Sequence, residues 1–108
     1  MFARVSNGVA REGMLEELVR LANESLAPTA LEQEGCRGML LLTHAGSGRV
    51  IAISLWDTEE ALLTSESGDY MRQMVARVAD YLEEAGPSQQ SFRVSGSWLR
   101  SAASREGR

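Results

Sequence analysis

The segment that most constrains this fold is a pair of apolar runs, residues 39–44 and 49–56, separated by Ala45-Gly46-Ser47-Gly48. Two such runs around a short glycine-rich connection are typical of a β-hairpin. Apolar residues occupy positions of both parities in each run, as the sequence Leu40-Leu41-Leu42 illustrates. Because successive side chains of a strand point to opposite faces, both faces of this sheet are predicted to be covered.

The length of the chain limits what can cover those faces. Its 108 residues suit one domain, with helices enough for only one face of a sheet. The other face is therefore expected to pack against a second sheet, most economically that of an identical chain. We predict a homodimer joined through the sheet face.

The residues before the hairpin predict a strand and a helix. Alternation over residues 2–7 ends at Asn7-Gly8 and predicts a short strand and a turn. The following apolar residues have helical spacing, and Pro28 is expected to end or kink this helix, with a last turn through Leu31. The glycines of residues 34–38 predict a loop into the hairpin.

A short helix is predicted directly after the hairpin. Asp57 is followed three positions later by Glu60, which is typical of an acidic capping box with Asp57 as the N-cap residue. This helix is expected to extend to about Thr64. Residues 65–68 are expected to interrupt it.

A longer helix and a closing strand complete the predicted order. Ser67 is predicted to cap a helix that ends at Gly86-Pro87, and residues 91–95 are predicted to form the last strand. The order strand, helix, strand, strand, helix, strand predicts an α+β, ferredoxin-like βαββαβ fold. Its four-stranded antiparallel sheet should carry both long helices on one face.

The domain is expected to span residues 1–96. Residues 97–108 carry three arginines and one glutamate and are expected to form a flexible tail. Trp98 and Leu99 are the side chains that could dock this tail on the domain.

Composition excludes several function classes. All eleven cationic residues are arginines, so chemistry that needs a lysine Schiff base is excluded. One cysteine, Cys36, and one histidine, His44, cannot form a disulfide within the chain or a zinc site rich in His or Cys. A net charge of −4 argues against nucleic-acid binding. With no signal peptide or membrane segment in evidence in the sequence, a cytoplasmic protein without a membrane partner is expected.

Several of these segments together resemble the antibiotic biosynthesis monooxygenase family, over about residues 2–95. The resemblance is carried by the short first strand, the loop of residues 34–38, the strand end Ile53-Ser54-Leu55-Trp56-Asp57, the helix start Glu59-Glu60-Ala61 and Tyr70. The pattern departs from the family at Cys36, where an aromatic residue is common. The resemblance implies a dimeric α+β barrel, with a pocket in each subunit between the sheet and its own helices.

Three residues are candidates for catalysis. The indole N–H of Trp56 could donate to a ligand carbonyl or a peroxide, or the ring could be a packing anchor. The Tyr70 hydroxyl could bond to a substrate, although Tyr70, Met74 and Tyr81 also share one flank of a helix and could pack in the core. Asn7 on the first strand is the third candidate, because a buried polar side chain must find partners.

Further residues are assigned to substrate binding. They are Arg4, Ser54 and Met74, and Arg4 lies on the strand parity opposite to that of Asn7. Haem-degrading relatives combine a first-strand asparagine with a tryptophan in the short helix and a histidine in the long helix. Asn7 fits this pattern, but the other two are missing here, so haem degradation is disfavoured. His44 is expected to be exposed, with general-base action as the alternative. Cys36 is expected to be an ordinary loop cysteine, with a thiolate activated by the neighbouring Arg37 as the alternative.

Two functions are compatible with these residues. The first is a monooxygenase that needs no cofactor and oxidises a phenolic or anthrone-like polycyclic aromatic with dioxygen. Deprotonating such a substrate gives a delocalised carbanion that can pass an electron to dioxygen, so the pocket need only orient, desolvate and stabilise charge. The alternative is a non-catalytic dimeric module that binds a small aromatic molecule.

Overall fold

A computed structural model describes residues 1–83 and 88–100 of the chain. Its elements follow one another in the order β1 (Phe2–Val9), α1 (Leu15–Leu21), a π-helical segment (Ala22–Leu26), α2 (Ala27–Leu31), β2 (Cys36–His44), β3 (Arg49–Trp56), α3 (Glu59–Ser67), α4 (Asp69–Val78), a 3₁₀ turn (Ala79–Tyr81) and β4 (Ser88–Arg93). The four strands form one antiparallel sheet in the order β2-β3-β1-β4. The predicted ferredoxin-like α+β fold is confirmed.

The register of the sheet places residues from different strands in rows. Arg4 on β1 lies opposite Ser54 on β3 and opposite Ser91 on β4, and Ser54 in turn lies opposite Met39 on β2. Every second residue along each strand shares a face with this row. Helices α1 and α4 cover that face, and they approach it most closely through apolar side chains such as Leu18 and Val78.

The first helical stretch is continuous but irregular. A π-helical segment separates α1 from α2, and Pro28 occupies the first turn of α2. Pro28 has no N–H to donate to the preceding turn, and that turn is the π-helical segment, where the hydrogen bonding is already irregular. The predicted helix therefore does extend through Leu31, and the irregularity lies before Pro28 rather than after it.

The predicted helix caps are shifted by one residue. Thr58, not Asp57, is the N-cap residue of α3, because its hydroxyl accepts the backbone N–H of Ala61 over 3.0 Å. Gly68, not Ser67, is the N-cap residue of α4, and the Ser67 hydroxyl instead donates to the Thr64 carbonyl within α3. Helix α3 thus continues past the predicted end at Thr64.

The end of the second long helix also differs from the prediction. Helix α4 ends at Val78 and is followed by a 3₁₀ turn, and Leu82 forms an isolated β-bridge with Ala10. The predicted stop at Gly86-Pro87 lies outside the described residues. The closing strand begins at Ser88 rather than Ser91, because pairing with β1 draws the polar residues before Phe92 into the ladder.

The core is small and lies between the sheet and the helices. Ala10, Leu18, Val50 and Leu82 form its central cluster. At the other end of the helix-covered face, Trp56 is fully buried. No helix within residues 1–83 and 88–100 is long and apolar enough to span a membrane.

The opposite face of the sheet has no helix over it in the described part of the chain. Its apolar side chains include Leu40, which is 55% exposed, and Phe92, which is 49% exposed. Leu40 lies in one row with Ile53 and Val5, so the exposed residues belong to a continuous apolar surface. We call this surface, which comprises Val5, Leu40, Leu42, Ile51, Ile53 and Phe92, the open face.

The segment after β4 has neither helix nor strand over residues 94–100. Trp98 and Leu99 are each 89% exposed, so these side chains do not dock on their own domain. The boundary between the domain and a tail at residue 97 stays a prediction.

Candidate functional site

A cavity of about 120 Å³ lies between the sheet and the helices. Its floor is the helix-covered face of β1, β2 and β3, and its walls come from α1, the π-helical segment and α4. Leu18, Val50, Val78 and Leu82 make one end of this cavity apolar. Such a concave, mostly apolar space with a few polar groups is the usual form of a small-molecule site.

Two polar side chains of the cavity share one row of the sheet, and Ser6 and Gln89 line the cavity from the next row. Arg4 and Ser54 lie directly opposite each other across β1 and β3, and both line the cavity. Side chains in such a cross-strand pair have Cβ atoms about 4.5–5.5 Å apart. Tyr70 and Met74 reach the same cavity from α4. The sequence-predicted residues Arg4, Ser54, Tyr70 and Met74 are thus brought together.

Arg4 is a buried cation, only 3% exposed, and its surroundings account for its burial. Its Nη1 donates to Ser65 Oγ over 2.9 Å and to Glu66 Oε2 over 3.2 Å, both on α3. Its guanidinium lies over the Trp56 ring, 5.2 Å from the ring centroid. A buried charge is tolerated when it is paired and hydrogen-bonded, and Glu66 supplies the opposite charge here.

Trp56 lies behind the cavity rather than in its wall. The side chain is fully buried, and its indole N–H donates to Ser54 Oγ over 2.9 Å. Of the two roles considered for Trp56, donor to a ligand and packing anchor, this geometry provides the second. The indole reaches the cavity only through Ser54, whose own hydroxyl proton remains available to a ligand. A catalytic role for Trp56 stays a prediction.

Tyr70 lies at the start of α4, half-buried in the wall of the cavity. Burial raises the pKa of its phenol above the usual 10, while the positive charge of Arg4 opposes that shift and Cys36 adds slightly to it. The hydroxyl therefore stays protonated near neutral pH. It can donate a hydrogen bond to an oxygen that gains negative charge.

Asn7 borders the cavity, but its side chain is engaged elsewhere. Its Oδ1 accepts a hydrogen bond from Arg49 Nη2 over 3.4 Å. By strand alternation Asn7 shares the open face with Arg49, whereas Arg4, Ser6 and Gly8 share the face under the helices. Arg4 and Asn7 were both candidates for facing a ligand, and this geometry favours Arg4.

The remaining reactive residues, His44 and Cys36, do not line the cavity. His44 is exposed at the hairpin, where its Nδ1 is 2.9 Å from Ser47 Oγ. Cys36 is half-buried at the first position of β2 rather than in a loop, with Sγ 3.8 Å from the Gly38 carbonyl oxygen. Within residues 1–83 and 88–100, no group of three or more His, Cys, Asp or Glu is arranged to hold a metal ion.

Sequence reasoning missed the residues that hold Arg4 in place. Ser65 and Glu66 fall in the segment that was expected to interrupt the helices, yet they form the last turns of α3 under β1. A buried arginine requires an acidic partner, and this was the only available signal. It could not distinguish Glu66 from the other acidic residues.

The sequence matches a family model described as antibiotic biosynthesis monooxygenase over residues 1–77. It matches none of the curated proteins. The fold is similar to a monooxygenase from the gene ActVA-Orf6 of Streptomyces coelicolor, solved in complex with the ligand Nanaomycin D. That comparison has a TM-score of 0.74 and 16% identity, and it covers 93% of this chain and 92% of the other.

Two further solved structures share the fold. NE2512 from Nitrosomonas europaea, a protein of unknown function, has a TM-score of 0.73 and 17% identity, over 94% of this chain and 95% of its own. Rv0793 from Mycobacterium tuberculosis has a TM-score of 0.63 and 18% identity, and the comparison covers 94% of this chain and 97% of the other. At such identities these similarities establish the fold alone.

Proposed function

The chain belongs to the antibiotic biosynthesis monooxygenase family, and we propose that it oxidises a phenolic or anthrone-like aromatic molecule with dioxygen in the cavity between its sheet and helices. The observation that carries this proposal is the uneven polarity of the cavity. One end is formed by apolar side chains such as Leu18 and Val78, while Arg4, Ser54 and Tyr70 supply hydrogen-bond donors at the other, with Ser6 and Gln89 in the row between. A flat aromatic body with an oxygen at one end fits that division.

The size of the cavity supports the same class of ligand. An apolar protein cavity of about 150 Å³ holds one benzene ring, and the present cavity measures about 120 Å³. The two volumes are of the same order, so the cavity has room for about one aromatic ring, and further rings of a polycyclic substrate would extend beyond it. The Streptomyces coelicolor structure with Nanaomycin D is a case in which a protein of this fold holds a small molecule.

The proposed reaction converts a ring CH₂ or an equivalent phenolic C–H position into a carbonyl. The substrate loses a proton, and the resulting carbanion passes one electron to dioxygen. The two radicals combine into a C–O bond, which gives a peroxide whose distal oxygen is protonated. Loss of the second proton from the same carbon then forms the C=O bond as the O–O bond breaks, and the hydroxide that leaves takes up a proton to become water. The balance is CH₂ + O₂ → C=O + H₂O, and the substrate itself is the reductant.

The side chains of the cavity would act on charge and orientation. The Arg4 guanidinium would stabilise the deprotonated substrate, because a positive charge in a low-dielectric site favours an anion. The neutral Tyr70 hydroxyl and the Ser54 hydroxyl would donate to the oxygen on which charge accumulates. Among the described residues that line the cavity, Arg4 and Tyr70 are the ionisable ones, so the substrate proton would pass to water.

A second candidate function is a non-catalytic module that binds the same kind of molecule. The observation that favours it is the distance of proton acceptors from the cavity: His44 is exposed at the hairpin, and Glu66 is bonded to Arg4. A binding module needs the donors and the apolar surface but no base.

Homodimerisation through the open face is part of the proposal. Leu40 and Phe92 are half-exposed within a continuous apolar surface, and burial of such surface against a second sheet is favourable by about 25 cal/mol per Å². Contiguous apolar patches on a sheet commonly mark an interface. The dimeric barrel implied by the family resemblance would use this face.

The deciding experiment is dioxygen uptake by the purified, metal-free protein with a panel of hydroxyanthrones and hydroquinones. Boiled protein is the control, and quinone formation is followed by absorbance. Saturable uptake that depends on folded protein, with one product carbonyl per dioxygen, supports the oxygenase. Absence of uptake with compounds that raise the melting temperature would support the binding module instead.

A further inference from the structure

One edge of the Arg4 guanidinium makes no hydrogen bond to a described residue. Both hydrogen bonds from Arg4 to described residues leave from Nη1, towards Ser65 and Glu66. No fully shielded side-chain nitrogen or oxygen in the described part of the chain lacks a hydrogen-bond partner. Nε and Nη2 are therefore not sealed from solvent, and Arg4 lines the cavity. Nε and Nη2 are thus the Arg4 donors that a ligand in the cavity would meet.

That edge has a shape that selects its partner. The N–H groups of Nε and Nη2 lie parallel on one side of a planar guanidinium, and they match the two oxygens of a carboxylate. A lone hydroxyl oxygen would meet only one of them well. Holding Nη1 against α3, by Ser65 and Glu66, fixes the plane in which the free edge lies.

The neighbouring groups favour an acceptor at the same place. The Ser54 hydroxyl oxygen already accepts from Trp56, so its proton is left to donate, and the Tyr70 hydroxyl stays protonated. The cavity therefore has donors from three residues, Arg4, Ser54 and Tyr70, at its polar end. The acidic group bonded to Arg4, Glu66, is engaged with Nη1 and is 32% exposed.

From this arrangement we infer that the ligand of the cavity is an aromatic carboxylate, with both carboxylate oxygens held by Nε and Nη2 of Arg4 and the ring in the apolar end. The inference rests on the proposed function for the reaction but not for binding, and with an acid bound Arg4 holds the carboxylate, so the Tyr70 hydroxyl is the donor left for the oxygen on which charge accumulates. Arg4 is thereby the specificity-determining residue for an acid. Glu66 is a positioning residue whose negative charge also limits how tightly an acid binds.

Matched acids and amides test this without any mutation. Benzoate and benzamide, and 2-naphthoate and 2-naphthamide, differ in charge but hardly in shape, and their binding to the wild-type protein is measured by calorimetry at neutral pH. We expect each acid to bind about tenfold or more tightly than its amide, which is the effect of a charged hydrogen bond. Equal binding of acid and amide, or no binding of either acid, overturns the inference.

Two variants give opposite expectations. Arg4→Gln removes the charge and the paired donors, so the preference for acid over amide should fall to near unity. Glu66→Gln keeps an oxygen that can accept from Nη1 but removes the competing negative charge, so the acids should bind several-fold more tightly and the amides unchanged. If Arg4→Gln fails to fold, the inference is still tested by the Glu66→Gln variant and by the ratio of acid to amide affinity in the wild type. Acid affinity that is unchanged or weaker in a folded Glu66→Gln variant contradicts the inference.

The outcomes separate this inference from the proposed function. Strong acid preference without any dioxygen uptake would overturn the oxygenase and leave the carboxylate site standing. Dioxygen uptake with neutral hydroxyaromatics, together with equal binding of acids and amides, would overturn the carboxylate site and leave the oxygenase standing.

Discussion

The indole N–H of Trp56 donates to the hydroxyl oxygen of Ser54 over 2.9 Å, two residues earlier on the same strand. Successive residues of one parity on a strand share a face, so both side chains lie under the helices. The bond joins the most buried aromatic ring of the described chain to a hydroxyl in the cavity wall. It makes Trp56 a structural support for the polar end of the cavity.

Replacing Trp56 by Phe should therefore reduce stability. The change leaves a void and removes the donor to Ser54, at a cost of about 1–3 kcal/mol in the free energy of unfolding. Urea denaturation measures it. Trp98→Phe is the matched control, because Trp98 is 89% exposed, and its cost should stay within about 0.5 kcal/mol. Wild-type stability together with lost turnover in Trp56→Phe would restore the direct catalytic role.

The bond between Arg4 and Ser65 predicts a difference between two serines of α3. Both hydroxyls donate to the carbonyl three residues earlier, but Ser65 is buried and also accepts from Arg4, whereas Ser67 is exposed. Ser65→Ala should cost about 1–3 kcal/mol, because a buried donor loses a partner. Ser67→Ala should cost less than about 0.5 kcal/mol. Similar costs for the two variants in thermal denaturation would mean that the Arg4 contact contributes nothing.

The pKa of Tyr70 predicts how stability depends on alkaline pH. Burial raises this pKa above its usual 10, against the opposing charge of Arg4, so the unfolded chain loses the Tyr70 proton at lower pH than the folded chain. The contribution of Tyr70 to the free energy of unfolding is fully present below about pH 10. It is lost as the pH rises through the pKa that Tyr70 has in the folded protein. From about pH 9 to about pH 11, the wild type should therefore lose more unfolding free energy than Tyr70→Phe does.

The comparison with Tyr70→Phe isolates this one group, because Tyr81, Cys36 and the arginines are common to both proteins. Denaturation at a series of pH values gives the two curves. A difference between them that does not change across this window, or that changes in the opposite direction, would show that folding leaves the Tyr70 pKa where it was.

Dimerisation through the open face predicts a sharp effect of charge at Leu40. Leu40→Glu places a carboxylate beside Ile53 and Val5, and burying it against a second sheet is costly, so the dimer should dissociate. Light scattering after gel filtration measures the mass. Leu63→Glu is the control, since Leu63 is 53% exposed on α3 and Leu40 is 55% exposed. A dimeric Leu40→Glu protein would place the interface elsewhere.

The fold could be predicted from the sequence because the hairpin carries its own pattern. Apolar residues occur at both odd and even positions of residues 39–44 and 49–56, so both faces of the sheet had to be covered. The helical periodicity of other segments predicted the helices that cover one of these faces. Parity also separated Arg4 from Asn7, but parity alone does not say which face the helices cover. That choice depends on tertiary packing, which made Asn7 an equal candidate.

The partners of the site residues were harder to predict. The Arg4 bonds to Ser65 and Glu66 span more than 60 positions, and they depend on α3 continuing to Ser67. The expected break at residues 65–68 followed from local residue types, whereas contact with β1 keeps the segment helical. Long-range contacts of this kind override local propensity.

The central claim is that the aromatic substrate is oxidised in the cavity between the sheet and the helices, and filling that cavity tests it most directly. Ala52 lines the cavity from β3, and Ala76 is exposed on α4. Dioxygen uptake with an active hydroxyaromatic is compared for wild type, Ala52→Leu and Ala76→Leu, with melting temperatures as the check on folding. We expect folded Ala52→Leu to lose nearly all uptake and Ala76→Leu to keep it. Full uptake by a folded Ala52→Leu protein would contradict the claim.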